Sequence, residues 1–233
     1  MQFVFPPQPV PSVAIVGEEA RFPVRRIFCV GRNYAAHVRE MGKDPDREAP
    51  FFFTKPADAV VESGATIAYP PLTKNLHHEA ELVVAIGREG FEIAEADALG
   101  HVFGYAVGND LTRRDLQFAA REAGRPWDWA KAFDRSAVCG AISRAAATGH
   151  LSTGGIRLEV NGAVRQDADL AEMIWTVPEI VSILSHSVRI MPGDLVFTGT
   201  PAGVGPLVPG DNCTVTIEGL HPIAFSIAER AGR

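Results

Sequence analysis

Hydrophobic and polar residues alternate along this chain in short blocks, most of them bounded by Gly or Pro. Blocks rich in β-branched and aromatic residues are typical of strands. They predict strands at Arg26–Val30, Phe51–Thr54, Thr66–Tyr69, the run from Glu79 onwards, His101–Val107, Arg157–Val160, Ala163–Arg165, Asp194–Thr198 and Cys213–Ile217. Asn161-Gly162 separates two of these runs and is a preferred pair in two-residue turns, so it predicts a hairpin.

Helical patterns are fewer and shorter. They predict helices at Tyr34–Met41, with Asn33 as N-cap and Gly42 as stop signal, at Ala94–Leu99, at Leu111–Arg121, and at Met173–Ser185 with a start or break near Pro178. No internal repeat and no low-complexity linker divides the chain. We therefore expect an α+β, mainly β domain over residues 26–233, preceded by a Pro-rich arm over residues 1–25.

Composition narrows the class of protein. The 233 residues are 46% hydrophobic and 21% charged, which is typical of a globular protein with a sizeable core. A formal net charge of −6 offers no basic surface for nucleic acid or an anionic membrane. The N-terminus has prolines where a signal peptide needs an apolar core, and the three cysteines form neither a disulfide framework nor a zinc spacing. These features predict a cytoplasmic protein.

Two carboxylates open the most hydrophobic of the predicted strands. Glu79 and Glu81 would lie side by side on one face, because strand side chains alternate. Adjacent carboxylates repel, and one stays protonated unless a cation lies between them. Asp110 follows the next predicted strand, and a set of oxygen ligands suits Mg²⁺ or Mn²⁺. The alternatives are a solvated strand end for the pair and a helix N-cap for Asp110.

Two further clusters could carry chemistry. His37 and Glu40 would share a helix face, where a carboxylate orients the imidazole as a base, although a surface His–Glu pair fits the spacing as well. Lys131 stands among aromatic residues, where it would either neutralise an anionic substrate or extend over an apolar surface to water.

Two loops complete the candidates. Small residues fill positions 198–205, from Thr198 to Gly205, and would let backbone N–H groups approach an anion, although a tight turn explains them nearly as well. The charged segment Lys43–Ala49 contains Pro45 and is predicted to be either a plain loop or a lid that closes over the site.

Taken together, these segments resemble the fumarylacetoacetate hydrolase family, in its short, single-domain branch. The resemblance runs from about Arg26 to the C-terminus. It rests on Gly31–Tyr34 with His37, Phe52–Pro56, His78–Leu82, Gly108–Gln117, Lys131–Asp134, and Pro192–Asp194 with Thr198–Gly205. Six segments in the same order make the match far more specific than any one of them.

The resemblance implies a fold like the family's C-terminal domain, with mixed β-sheets rolled around a metal site, and a homodimer that binds Mg²⁺ or Mn²⁺. Matching positions assign roles to eight residues: metal ligands Glu79, Glu81 and Asp110; a catalytic set of His37, Glu40 and Lys131; and substrate contacts Gln117 and Thr200. Arg32 is a ninth candidate, because its charge could position an acidic end of the substrate.

The implied activity is hydrolysis of the C–C bond of an acylpyruvate, a small diketo acid. The expected substrate is fumarylpyruvate, cleaved to fumarate and pyruvate in gentisate-type aromatic catabolism. Oxaloacetate decarboxylation through the same metal-enolate chemistry, and a metal-binding homologue without turnover, stay open as alternatives.

Overall fold

The computed structural model describes residues 1–41 and 49–230. In chain order its strands are β1 (Ser12–Ala14), β2 (Arg21–Pro23), β3 (Arg26–Gly31), β4 (Phe51–Lys55), β5 (Val60–Glu62), β6 (Thr66–Ala68), β7 (Leu76–His78), β8 (Ala80–Ile86), β9 (Val102–Asp110), β10 (Thr112–Arg113), β11 (Ala137–Cys139), β12 (Ser143–Arg144), β13 (Gly155–Val160), β14 (Ala163–Asp169), β15 (Asp194–Phe197), β16 (Gly205–Leu207), β17 (Asn212–Ile217) and β18 (Ile223–Ala228).

The helices are short. They are α1 (Ala35–Glu40), α2 (Arg114–Glu122), α3 (Asp128–Lys131), α4 (Ala145–Thr148) and α5 (Val177–Ser187), with 3₁₀ turns at Ala57–Ala59, Glu95–His101 and Leu170–Glu172. Within the described residues, no helix is long and apolar enough to cross a membrane. The mainly β architecture with few short helices confirms the predicted fold class.

The largest sheet is buried on both faces. Its strands run in the order β4-β3-β15-β8-β9-β11-β5, and β12 adds to β9. Leu82, Val84 and Ile86 of β8 face the larger hydrophobic core, while Val83 and Ala85 face a smaller core on the other side. Burial on both faces explains why the sequence after Glu81 is continuously hydrophobic rather than alternating.

A five-stranded sheet, ordered β14-β13-β17-β18-β6, covers the larger core. Its strands alternate buried and exposed positions because only one face is covered. Val160 pairs with Ala163 across Asn161 and Gly162, whose φ angles are both positive (52° and 77°). The two-residue hairpin predicted from Asn161-Gly162 is confirmed.

Several predicted boundaries are wrong because distant partners override local signals. Asn33 does not cap α1: its side-chain amide donates to the carbonyls of Trp175 (2.9 Å) and Thr198 (2.8 Å). Helix α2 begins at Arg114 rather than Leu111, since β10 pairs with β7 before it. The Ala94–Leu99 segment belongs to a 3₁₀ turn.

The segment before Arg26 contributes to the core. Strands β1 and β2 pair antiparallel, and Val13, Ile15, Phe22 and Val24 are buried in the smaller core. Residues 1–10 are exposed. The division of the chain after residue 25 stays a prediction.

Strand pairing brings the candidate residues to one edge of the large sheet. Strands β3 and β15 run parallel, and β8 lies antiparallel to both β15 and β9. The start of β8 therefore meets the ends of β3, β9 and β15. Each of these strand ends continues into a segment that carries a candidate functional side chain.

Candidate active site

Three buried carboxylates, Glu79, Glu81 and Asp110, converge at this edge; we call them the carboxylate triad. Glu79 lies between β7 and β8, Glu81 is in β8, and Asp110 ends β9. The Asp110 backbone N–H donates to the Glu79 carbonyl at 2.8 Å, which continues the β8–β9 pairing past the end of β8. One oxygen of each carboxylate lies within 4.8 Å of the others. The structure thus brings together the three carboxylates that the sequence pattern predicts to lie close to one another.

Three buried cations, Lys55, Lys131 and Arg114, surround the triad. Lys131 Nζ lies 2.7 Å from both Glu79 Oε2 and Asp110 Oδ2. Lys55 Nζ lies 2.7 Å from Asp110 Oδ1, and Arg114 Nη2 lies 2.5 Å from Glu79 Oε1. Lys131 is therefore a partner of the triad and does not extend to water.

The two glutamates of the triad have pKa values shifted in opposite directions. Burial raises the pKa of Glu79, but Lys131 and Arg114 outweigh burial and hold it below the usual range. Burial, followed by repulsion from Asp110 and Glu79, raises the pKa of Glu81 well above its usual range. Among the described residues Glu81 has no ion-pair partner, and its Oε2 accepts only from the Gly199 N–H, at 2.8 Å. A further cation beside Glu81 would therefore favour its ionised form.

A histidine–glutamate pair lies on the neighbouring helix α1. His37 Nδ1 and Glu40 Oε2 are 3.1 Å apart on α1, and the His37 side chain is only 8% exposed. The hydrogen bond from His37 lowers the pKa of Glu40, and the Gly203 N–H, which donates to the same carboxylate at 3.1 Å, lowers it further. A buried imidazole held by an ionised carboxylate is the arrangement of a general base.

The loop at residues 198–205, here the glycine loop, uses its backbone amides on the protein's own anions. Gly199 N–H binds Glu81 and Gly203 N–H binds Glu40. Both glycines have left-handed φ angles, 97° and 93°. A Cβ on Gly203 would lie 2.0 Å from the Arg165 carbonyl oxygen, so only glycine fits. The small residues therefore serve anion contacts, in agreement with the first of the two interpretations.

One cavity is lined by seven of the nine side chains to which the sequence assigns roles, all except Glu40 and Asp110. It is lined by Arg32, His37, Glu79, Glu81, Gln117, Lys131 and Thr200, together with Arg114, Arg121, Phe53 and Trp127. Arg32 has a φ of 61° and lies over the Phe51 ring at 5.2 Å. Of the proposed lid, Lys43–Ala49, only Ala49 lies within the described residues, so the lid stays a prediction.

Three buried polar side chains at this site have no local sequence signal for a role. They are Lys55, Arg114 and Gln166. Lys55 and Arg114 contact carboxylates that are far away in sequence. Only the sheet topology brings them together, although Lys55 stands in the Phe-Phe-Thr-Lys-Pro segment and Arg114 in the Asn-Asp-Leu-Thr-Arg-Arg segment.

Fold and site together define a member of the fumarylacetoacetate hydrolase family. Residues 26–228 match the family model described as fumarylacetoacetate (FAA) hydrolase C-terminal, and the chain belongs to this family.

Relatives within the family point to two activities. The chain is 46% identical over 189 residues to a fumarylpyruvate hydrolase of Ralstonia sp, covering 80% of this chain and 98% of the relative. A crystal structure of fumarylpyruvate hydrolase from Pseudomonas aeruginosa in complex with Mn²⁺ and pyruvate has 51% sequence identity and a TM-score of 0.96, covering 98% of this chain and 100% of that chain. The oxaloacetate tautomerase YcgM of Escherichia coli is 41% identical over 199 residues, covering 85% of this chain and 90% of the relative.

Proposed function

We propose that this protein is a divalent-metal-dependent hydrolase that cleaves fumarylpyruvate to fumarate and pyruvate. The single observation that carries the proposal is that His37, which contacts Glu40, lines the same cavity as Glu79 and Glu81 of the carboxylate triad. A metal site alone would serve several reactions of an enolate. A positioned base beside it adds what hydrolysis requires, namely activation of a water molecule.

The carboxylate triad fits a hard divalent cation. It offers only oxygen donors, and Glu81 is buried beside two like charges with no ion-pair partner in residues 1–41 and 49–230. Mg²⁺ or Mn²⁺ would be held by Glu79, Glu81 and Asp110. When bound, the metal supplies Lewis-acid stabilisation of an oxyanion.

Charge balance favours an anionic substrate with two carboxylates. With all three carboxylates ionised around a bound metal, the three buried cations balance the triad, and a divalent ion would leave the cluster with two positive charges in excess. Fumarylpyruvate is a dianion that would neutralise this excess. Arg32 and Arg121, which line the same cavity, add positive charge for its distal carboxylate.

His37 would take a proton from water, whose oxygen then attacks the substrate carbonyl distal to the pyruvoyl unit. The bond between that carbonyl carbon and the neighbouring CH₂ carbon breaks, and its electron pair leaves as the pyruvate enolate. Lys131 is buried beside the triad, and its positive charge would stabilise the enolate more strongly there than in bulk water. A proton returned to the CH₂ carbon gives pyruvate, and the acyl half leaves as fumarate.

Glu40 would hold His37 in the productive orientation. Its carboxylate contacts both His37 Nδ1 and the Gly203 N–H, so the ring is fixed from the side opposite Nε2. Nε2 is then the atom that meets water. Gln117 and Thr200 would contact the substrate from the cavity wall.

A substrate comparison tests the proposal. The protein is stripped with a chelator, reloaded with Mg²⁺ or Mn²⁺, and assayed for pyruvate release from fumarylpyruvate, acetylpyruvate and oxaloacetate. We expect turnover only with metal, and a kcat/KM for fumarylpyruvate at least about 100-fold above that for oxaloacetate, the size of a general-base contribution. Pyruvate release from oxaloacetate alone would instead support decarboxylation.

Oxaloacetate tautomerisation is the second candidate, because relatives at 38–41% identity carry that name. This reaction moves a proton between carbon and oxygen and needs no attacking water. Keto–enol exchange of oxaloacetate, followed by ultraviolet absorbance, separates it from hydrolysis. Fast exchange without fumarylpyruvate cleavage would overturn the hydrolase proposal.

A further inference from the structure

Gln166 is a buried amide on a strand whose neighbouring residues face water. It lies in β14, the edge strand of the five-stranded sheet, with 1% of its surface exposed between exposed Arg165 and Asp167. A buried amide must satisfy two donors and two acceptor lone pairs to offset its loss of hydration. Its position therefore calls for four partners.

All four partners are present. Gln166 Oε1 lies 3.0 Å from the Ala80 N–H, which donates to it, and 3.1 Å from His78 Nδ1. Gln166 Nε2 donates to Thr200 Oγ1 and to the Pro201 carbonyl, both at 2.8 Å. A backbone N–H only donates and a carbonyl only accepts, so Ala80 and Pro201 fix which end of the amide is oxygen.

This fixed orientation determines what the Thr200 hydroxyl can do. Thr200 Oγ1 accepts a hydrogen bond from Gln166, and no described residue accepts a hydrogen bond from it. Thr200 is 4% exposed and lines the cavity, so its hydroxyl hydrogen is directed to whatever binds there. Accepting one hydrogen bond also makes a hydroxyl a stronger donor in the next.

Gln166 also fixes where this donor stands. Ala80, which donates to Gln166 Oε1, lies between Glu79 and Glu81 of the carboxylate triad. One side chain thus connects the start of β8, next to Glu79 and Glu81, with the glycine loop that carries Thr200. These hydrogen bonds fix the distance between the Thr200 hydroxyl and the carboxylate triad.

We propose that Gln166 is a positioning residue that commits the Thr200 hydroxyl to donate to the carboxylate or oxyanion of the bound substrate. The inference rests on the proposed function, since it assumes a pyruvoyl-type ligand in this cavity. Gln166 itself touches neither the cavity nor the reacting atoms. It acts through Thr200.

A double-mutant cycle tests this role through pyruvate binding to the Mn²⁺-loaded protein, measured by titration calorimetry. Gln166→Met keeps the length of the side chain and removes the amide, and Thr200→Val keeps the shape and removes the hydroxyl. We expect each single variant to raise the Kd for pyruvate about 10-fold, the scale of one hydrogen bond to a charged group. In the Thr200→Val background, Gln166→Met should change the Kd by less than about twofold.

Thr200→Ser provides the matched control, because it retains the hydroxyl. In that background the penalty of Gln166→Met should return to about 10-fold. A purely structural role would give the same penalty with Val, Thr or Ser at position 200, and that result would overturn the inference. The kinetic counterpart is a rise in KM larger than the fall in kcat.

Two outcomes keep the inference separate from the proposed function. If Gln166→Met does not fold, Thr200→Val still decides: unchanged pyruvate affinity would overturn the inference. Pyruvate binding does not depend on which reaction the protein catalyses, so failure to cleave fumarylpyruvate leaves these titrations valid. A wild-type protein that binds no pyruvate would overturn both.

Discussion

Glu79 and Glu81 are expected to have opposite effects on stability in the metal-free protein, although both would bind the metal. Glu79 contacts Lys131 and Arg114, whereas Glu81 is buried beside two carboxylates and pairs with no cation in the part of the chain that the structure describes. Replacing each by the isosteric Gln removes one ionisable group from the same small volume. The consequences differ because the two carboxyl groups have different neighbours.

For Glu81→Gln the structure gives the direction of the change in the free energy of unfolding and its upper limit. The pKa of Glu81 in the folded protein is raised above its ordinary value of 4.5, so the ionisation of Glu81 in the unfolded chain opposes folding increasingly as pH rises from that value. At 1.36 kcal/mol per pKa unit, the penalty at pH 7 has a ceiling of about 3 kcal/mol. Allowing for the burial of the new amide, Glu81→Gln should stabilise the metal-free protein by about 2 kcal/mol. That corresponds to a Tm increase of about 4–8 °C for a chain of this size.

Glu79→Gln is expected to lower the stability of the metal-free protein. Glu79→Gln removes the carboxylate that pairs with Arg114 and one of the two that pair with Lys131, which keeps Asp110. Removing one partner of a buried pair costs about 3–5 kcal/mol. Since the amide oxygen still accepts from one of these two cations, we expect about 3 kcal/mol, and therefore a Tm decrease of about 6–12 °C. Both variants should weaken Mn²⁺ binding by at least about 100-fold, because each removes a metal ligand rather than an outer contact.

The assay is thermal unfolding in excess chelator at pH 5 and pH 7, with Mn²⁺ titration of the same samples. The stabilisation by Glu81→Gln should be larger at pH 7 than at pH 5, because the penalty that it removes grows over this range. If Glu81→Gln melts at or below the wild-type temperature, or Glu79→Gln melts above it, the charge assignment is wrong. Unchanged Mn²⁺ affinity in either variant would refute its role as a ligand.

Three further predictions concern the base, the glycine loop and the substrate. His37→Ala should lower kcat for fumarylpyruvate by at least about 100-fold and leave Mn²⁺ affinity within twofold, measured by kinetics and metal titration; near-native turnover would exclude His37 as the base. Gly203→Ala should lower the Tm well beyond Gly210→Ala, since both glycines have left-handed φ angles but only the first Cβ meets backbone atoms; equal Tm shifts would contradict the close approach. Arg121→Ala should raise KM about 10-fold for fumarylpyruvate but not for acetylpyruvate, which lacks the distal carboxylate; the two KM values come from steady-state kinetics, and equal increases for both substrates would contradict this contact.

Local sequence signals predicted those parts of the site that depend on local geometry. The strand period aligns Glu79 with Glu81 even though Glu79 lies just outside β8, because the pairing with β9 continues past the end of the strand. The spacing of His37 and Glu40 is likewise set within one helix. Such features need only the backbone period, which the sequence carries directly.

The remaining contacts depend on partners that no local pattern reveals. Asn33 has the composition of a helix cap, yet its amide binds carbonyls 142 and 165 residues away. Gln166 binds partners 86 and 88 residues before it and 34 residues after it. For such residues the chain topology decides, and a buried polar side chain is recognised only once its burial is known.

The glycine loop carries no charged side chain, yet it coordinates the proposed metal ligand, base and substrate contact. Its first glycine donates to Glu81, its second donates to Glu40, and Thr200 between them accepts from Gln166. A shift of this backbone would therefore disturb all three functions together, whereas a side-chain substitution at any one of them disturbs only its own. This explains why small residues fill the loop: its contribution is the direction of its N–H groups, and any Cβ at Gly203 would move the backbone that sets that direction.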